Sequence, residues 1–206
     1  MNSAQIPFVR LPVDWSSIQK LPIDQKVRPS QAQVVAWGQI CRTEDAFFVR
    51  LQAQEPQILA QEEGSLPMPC NDSCLEFFLR PTPSLRYMNF EWNPKGCLYL
   101  GIGTCAEDLM RLAPADWQVK KLFAPQTQQQ GDTWQVEFQI PYSFIKGFFP
   151  DFDPEKTKNI WGNFYKCGDK LDMPHYLAWN PITREGKYLF HTPEEFGKLI
   201  LKEIEP

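Results

Sequence analysis

Hydrophobic and polar residues alternate with a period of two along several short stretches of the chain, the pattern of strands with one buried face. From Trp134 to Ile140, Trp134, Val136, Phe138 and Ile140 fall on one side and Gln135, Glu137 and Gln139 on the other. Ala46 to Ala53 sets Phe47, Val49 and Leu51 against Phe48, Arg50 and Gln52. Asp72 to Leu79 sets Ser73, Leu75, Phe77 and Leu79 against Asp72, Cys74, Glu76 and Phe78. Arg86 to Asn93 divides into Met88, Phe90 and Trp92 against Tyr87, Asn89, Glu91 and Asn93. Val34 to Ile40, Cys97 to Ile102, Ile160 to Cys167 and Lys198 to Ile204 extend the series.

Turn formers separate these segments: Pro81-Thr82-Pro83, Asn93-Pro94-Lys95-Gly96, Gln130-Gly131-Asp132 and Cys167-Gly168-Asp169. The second of them, followed at once by another alternating stretch, predicts a hairpin. Helical signal is sparse: a turn or two over Ala106 to Leu112, another over Pro141 to Gly147, and a short start at Thr192-Pro193-Glu194-Glu195. The glutamine-rich Gln126 to Gln130 reads as a mobile loop. Eight or so short strands with this punctuation predict an all-β fold, an antiparallel β-sandwich of immunoglobulin-like or jelly-roll type with few short helices. With 206 residues, no internal repeat and no linker, residues 1–206 read as a single domain.

Composition supports this reading. Apolar residues make up 43% and aromatics 14%, enough for a substantial core, and 19 prolines suit turns better than long helices. The net charge of −4 comes without a basic stripe, which argues against a nucleic-acid partner. The doublet Lys120-Lys121 reads as a solvated turn. No window approaches the ~18 consecutive apolar residues of a membrane span. The polar stretch from Met1 to Leu11 lacks the order of a signal peptide, so a cytoplasmic protein is favoured over a processed, secreted one. The six cysteines (Cys41, Cys70, Cys74, Cys97, Cys105 and Cys167) read as free thiols. Cys70 and Cys74 form a C-x3-C pair with no second pair or histidine cluster at zinc-site spacing.

Catalytic motifs are missing. There is no G-x-S-x-G and no phosphate-binding glycine loop, and Gly101-Ile102-Gly103 lacks the remainder of a dinucleotide fingerprint. His175 and His191 are the two histidines, few for triad or zinc chemistry. Glycoside hydrolysis by a carboxylate pair from Glu76, Glu91 and Glu137 stays open as a minor alternative to a non-catalytic protein. If the alternation holds, Glu76, Asn89, Glu91, Asn163 and Tyr165 leave the core on one face. Such a face is either ordinary solvated surface or a wall whose carboxylates and amides meet sugar hydroxyls.

Six segments carry a resemblance: Ala46 to Leu51 (AFFVRL), Asn71 to Phe78 (NDSCLEFF), Tyr87 to Pro94 (YMNFEWNP), Gly162 to Asp169 (GNFYKCGD), Pro174 to Trp179 (PHYLAW) and Phe190 to Gly197 (FHTPEEFG). In this order they resemble the family 9 carbohydrate-binding modules and their stand-alone relatives. The resemblance implies a β-sandwich that binds a saccharide. It aligns two sugar-clamping tryptophans with Cys70 and Phe190, and the hydroxyl-reading positions with Glu76, with Glu91 in place of an arginine, and with Tyr165 in place of a glutamine.

The expected ligand site is therefore Glu76, Asn89, Glu91, Asn163, Tyr165, Trp179, Phe190 and His191, with a carbohydrate or another small polar ligand as partner. Trp179 has a second reading as core, and His175 and His191 as loop pins. No cofactor is expected beyond a structural calcium ion, with Asp72 and Asp169 as ligands or, alternatively, as turn residues. Two further readings come from the wider superfamily and from the fold: haem held by residues among Met68, Met88, Met173, His175 and His191, or a scaffold whose partner is another protein.

Overall fold

The computed structural model describes residues 1–202. In chain order the elements are β1 (Ser3–Ile6), β2 (Leu21–Pro22), β3 (Gln25–Lys26), β4 (Val35–Arg42), β5 (Ala46–Gln54), β6 (Cys74–Arg80), β7 (Tyr87–Trp92), β8 (Leu98–Gly103), β9 (Met110–Leu112), α1 (Asp116–Phe123), β10 (Gln126–Gln130), β11 (Thr133–Pro141), α2 (Tyr142–Phe148), β12 (Asn159–Cys167), β13 (Tyr176–Ala178) and β14 (Gly197–Leu201). They form a β-sandwich. One sheet runs β1-β14-β12-β6-β7-β8-β9, with β13 paired to β12 and β3 to β13, and the other runs β10-β11-β5-β4-β2. Pairing is antiparallel except between β1 and β14. The strand expected over Lys198 to Ile204 is β14, and positions 203 and 204 lie outside the described residues.

The period-two pattern translates directly into layers. Trp134, Val136, Phe138 and Ile140 of β11 and Phe47, Val49 and Leu51 of β5 face Leu75, Phe77 and Leu79 of β6 and Met88, Phe90 and Trp92 of β7 in one core. Several sequence expectations are corrected. Gln126 to Gln130 is not a loop but the edge strand β10, which pairs with β11 through main-chain groups that the glutamine side chains leave free. Ala106 to Leu112 is a turn leading into β9 rather than a helix. Lys120 and Lys121 lie in the last turn of α1, where cations suit the carbonyl end, and Val119 and Phe123 of the same helix are buried at i, i+4 spacing.

The larger difference concerns the outer face of the nine-stranded sheet. It is covered rather than solvated, and every residue of β6 and β7 is buried. Phe78, Tyr87, Tyr165, Ala178 and Phe196 form a second apolar cluster there, with Phe78 stacked on Tyr87 at 5.6 Å and edge-on to Tyr165 at 4.9 Å. The covering chain, residues 181–196, is pinned at its start by amide pairing. Asn163 Nδ2 donates to the Asn180 carbonyl (3.0 Å), and the Asn180 N–H donates back to Asn163 Oδ1 (2.8 Å). Asn180 Nδ2 in turn donates to the Glu195 carbonyl at 2.5 Å, so one side chain holds both ends of the covering segment.

Strand parity sends Lys166 the other way, into the sandwich. Its Nζ lies 2.9 Å from Glu55 Oε2 with both side chains buried, and Trp134 Nε1 donates to Glu55 Oε1 at 2.6 Å. Burial holds His175 down at about 4, so this nearby ring (3.7 Å from Glu55) is neutral and supplies no second cation. Removing one partner of a buried pair leaves an uncompensated charge. Lys166→Met is therefore expected to cost about 3–5 kcal/mol of unfolding free energy in urea denaturation. The double variant Lys166→Met with Glu55→Gln should recover most of that loss, and an equal loss in both would show that the charge pair is not the cause.

Candidate functional site

Register places four side chains in one row on the covered face. Tyr165 of β12 pairs with Glu76 of β6, Glu76 with Glu91 of β7, and Glu91 with Tyr99 of β8. A second row, one pleat along, sets Cys167 against Cys74. A third runs from Asn163 through Phe78 and Asn89 to Gly101. Glu76, Glu91, Tyr99 and Cys167 open onto a cavity of about 800 Å³. Its remaining walls come from loops and short strands: Val27 and Arg28, Met68 and Cys70, Ala106, Glu107 and Leu109, Asp169, Tyr176, and Lys187 to His191.

The two glutamates are directly opposed and almost fully buried, so each raises the cost of ionising the other. Burial pushes Glu76 up to about 7. Burial, then the charge of Glu76, pushes Glu91 well above the usual carboxylate range. Near neutral pH Glu91 thus keeps its proton while Glu76 is partly ionised, giving the floor one hydroxyl donor and one acceptor. Asn89 lies beneath: its Nδ2 donates to Glu91 Oε1 at 2.7 Å. Gly101 makes room for this amide, since a Cβ there would sit 2.4 Å from Asn89 Oδ1. Cys167 Sγ donates to Glu76 Oε1 at 3.0 Å.

Aromatic rings bound the floor. Phe190 stacks on Tyr165 (4.1 Å between centroids, 10° between planes), and the Tyr165 hydroxyl donates to the Phe190 carbonyl at 2.9 Å. Tyr165 therefore serves as the support under Phe190. Arg28 lies over Tyr176 and Arg111 over Tyr99, at 5.0 and 4.4 Å from the ring centres. His191 Nδ1 is 2.6 Å from the Tyr87 hydroxyl. Burial holds the imidazole down at about 4 and raises the phenol, so Tyr87 donates and His191 Nε2 carries the ring proton. Among charged residues on the cavity wall, Glu76, Glu91, Glu107 and Asp169 outnumber Arg28 and Lys187.

Of the residues singled out in the sequence, Glu76, Glu91, Phe190 and His191 line the cavity, and Asn89 and Tyr165 sit directly behind it. Asn163 and Trp179 do not reach it. Asn163 spends both ends of its amide on Asn180. Trp179 packs between the sheets, edge-on to Phe164 at 5.8 Å, on the same side of the chain as the buried Leu177 two residues before it. Asp72 is a loop staple: its carboxylate accepts from the N–H groups of Gln61 (2.9 Å) and Glu62 (2.8 Å) and from Asn93 Nδ2 (2.9 Å), which fills it with donors. The candidate haem ligands are dispersed. Met88 is in the core, His175 faces Glu55, Met173 is exposed, and only Met68 and His191 of the five lie on this charged cavity. The sequence reading missed Tyr99, Tyr176, Arg28 and Asp169 as lining residues. Tyr99 was within reach, because the Asn93–Gly96 hairpin sets it opposite Glu91.

Comparison with known proteins agrees with the sandwich fold. The profile of carbohydrate-binding family 9 matches residues 12–201. A candidate carbohydrate-binding protein from Bacteroides uniformis has a similar structure, with 26% identity and a TM-score of 0.81 over 98% of this chain and 99% of that one. A family 9 carbohydrate-binding module from Caldicellulosiruptor kristjanssonii in complex with cellotriose superimposes with a TM-score of 0.68 at 13% identity, over 99% of this chain and 95% of that one. Its complex with glucose gives a TM-score of 0.65 at 13% identity, with both chains fully covered. No curated protein matches the sequence.

The glutamate pair has a consequence for stability. A carboxyl whose pKa is higher in the folded than in the unfolded chain stabilises the fold while protonated, and that contribution is lost as pH rises through the folded value. The move of Glu76 from 4.5 to about 7 corresponds to a loss on the order of 3 kcal/mol. Between about pH 4.5 and 7, the span from the unfolded to the folded value of Glu76, urea unfolding should show this contribution draining away as pH rises. Glu76→Gln, which cannot ionise, should weaken less with rising pH across that span than the unchanged protein, the two sharing the opposing titration of the depressed histidines. Parallel pH profiles for the two proteins would refute the assignment to Glu76.

Proposed function

Since the chain belongs to carbohydrate-binding family 9, we propose that it is a non-catalytic module that holds a saccharide, or a similar small polyhydroxylated ligand, in the cavity over Glu76 and Glu91. The observation that carries this is the row of two buried glutamates flanked by Tyr99 on one side and the Tyr165-backed Phe190 on the other. Vicinal hydroxyls both donate and accept, and a carboxylate beside a carboxylic acid meets both needs. The rings supply flat apolar surface for the C–H faces of a pyranose. Cys70 lines the wall as a small side chain, so the aromatic contacts fall to Phe190, Tyr99 and Tyr176.

The acidic surplus on the wall favours neutral sugars over uronic acids, whose carboxylate would face Glu76 and Asp169. Hydrolysis would need an acid and a base or nucleophile disposed about the scissile bond. Here both glutamates project from adjacent strands of a single wall, a geometry suited to holding one sugar ring.

Calorimetric titration with glucose, cellotriose and a panel of neutral oligosaccharides tests the reading. Binding is expected to weaken at least tenfold in Glu76→Gln and in Tyr99→Ala, a loss of about 1.4 kcal/mol or more each. Affinity should rise from pH 6 to pH 8 as Glu76 ionises and becomes the better acceptor, opposite in sign to the trend in stability. No heat with any saccharide at millimolar concentration would overturn the proposal.

A further inference from the structure

At the inner end of the cavity, three potential metal ligands converge from two adjacent strands. Cys74 and Cys167 are directly paired across β6 and β12, and Glu76 stands two residues along from Cys74 on the same face. Glu76 Oε1 lies 3.0 Å from Cys167 Sγ and 3.6 Å from Cys74 Sγ, and the three ligand atoms all fall within 4.8 Å of one another. Zinc–sulfur bonds of about 2.3 Å and zinc–oxygen bonds of about 2.0–2.2 Å require ligand atoms roughly 3.5–3.8 Å apart at tetrahedral angles, so adjustments of a few tenths of an ångström would seat an ion. Neither thiol belongs to the main apolar core. Both side chains share their face of the sheet with the carboxylates, and Cys167, Glu76 and the neighbouring Cys70 line the cavity, which gives an ion its way in.

We propose that Cys74, Cys167 and Glu76 form a zinc site at the inner end of the cavity, with the fourth coordination position directed toward Cys70 and the open space. Two thiolates with one carboxylate suit a borderline-soft ion such as Zn²⁺ rather than calcium. Uptake of one Zn²⁺ converts both thiols to thiolates and releases their two protons to solvent, together with the proton of Glu76 when it carries one. The ion also places positive charge beside Glu91 and Asp169, in a cavity whose wall carries more acids than bases.

The site shares Glu76 with the proposed saccharide contacts, so it is tested without any sugar. Reduced, chelator-treated protein is titrated with Zn²⁺ against a chromophoric chelator, and separately with Co²⁺, whose thiolate charge-transfer bands report sulfur ligation. One equivalent should bind tightly. Cys74→Ser and Cys167→Ser should each weaken uptake at least a hundredfold and remove the charge-transfer bands, whereas Cys41→Ser and Cys97→Ser, remote controls, should leave both unchanged. Should the cavity variants fail to fold, the wild-type protein still gives an answer. Adding Zn²⁺ should protect Cys74 and Cys167 from alkylation, read residue by residue by mass spectrometry, and removing the ion should restore the reactivity of both. Absence of stoichiometric uptake, or uptake that leaves these two thiols unprotected, would overturn the proposal whatever the outcome with sugars.

Discussion

The amide exchange between Asn163 and Asn180 is the contact on which the rest of the site depends. A sheet with polar residues on its outer face would ordinarily leave that face to water. Here one buried side chain copies a strand's hydrogen-bonding pattern, accepting one N–H and donating to one carbonyl of the chain that crosses over it. That fixes where residues 181–196 begin, and Asn180 reaching Glu195 fixes where they end. Phe190 and His191 are carried in between, over Tyr165 and Tyr87. Asn163 shapes the cavity without touching it, by deciding where its roof is anchored.

Two ionic arrangements then share β12 without interfering. Successive residues of a strand point to opposite faces, so Tyr165 and Cys167 stand on the cavity side while Lys166 between them enters the sandwich. Glu55 meets its counter-charge in the interior, and Glu76 meets another acid instead. The first arrangement is matched and structural. The second is a buried electrostatic conflict, tolerable because protons, hydroxyl donors or a cation can relieve it from the cavity. A sheet face assembled only for stability would have no reason to oppose two glutamates under a roof.

The alternation of β5, β6, β7 and β11 was legible in the sequence because packing there depends on local parity, so the sandwich and the shared face of Glu76, Asn89 and Glu91 could be read from residue types alone. Parity also placed Asn163 and Tyr165 on that face, but it could not say what covers it. An aromatic or amide near a polar wall looks the same in sequence whether it touches a sugar or a neighbouring loop, which is why Trp179 and Asn163 read there as ligand contacts. Arg28, Tyr176 and Asp169 come from short strands and turns with no period to betray them. The approach of Cys167 to Cys74 depends on the register of β12 against β6, a long-range pairing that spacing rules for metal motifs do not see.

The parallel pairing of β1 with β14 joins the two extremes of the described sequence, Ser3 beside Lys198 and Ile6 beside Leu201. That edge of the larger sheet cannot close until residues through Leu201 are available. A nascent polypeptide still short of β14 would expose the flank of β12, unpaired main-chain groups included, while the smaller sheet, whose strands all lie earlier in the chain, could already be complete. Synthesis and folding are thereby ordered in time: the half of the sandwich away from the glutamate pair can form first, and the half that carries the pair must wait for β14.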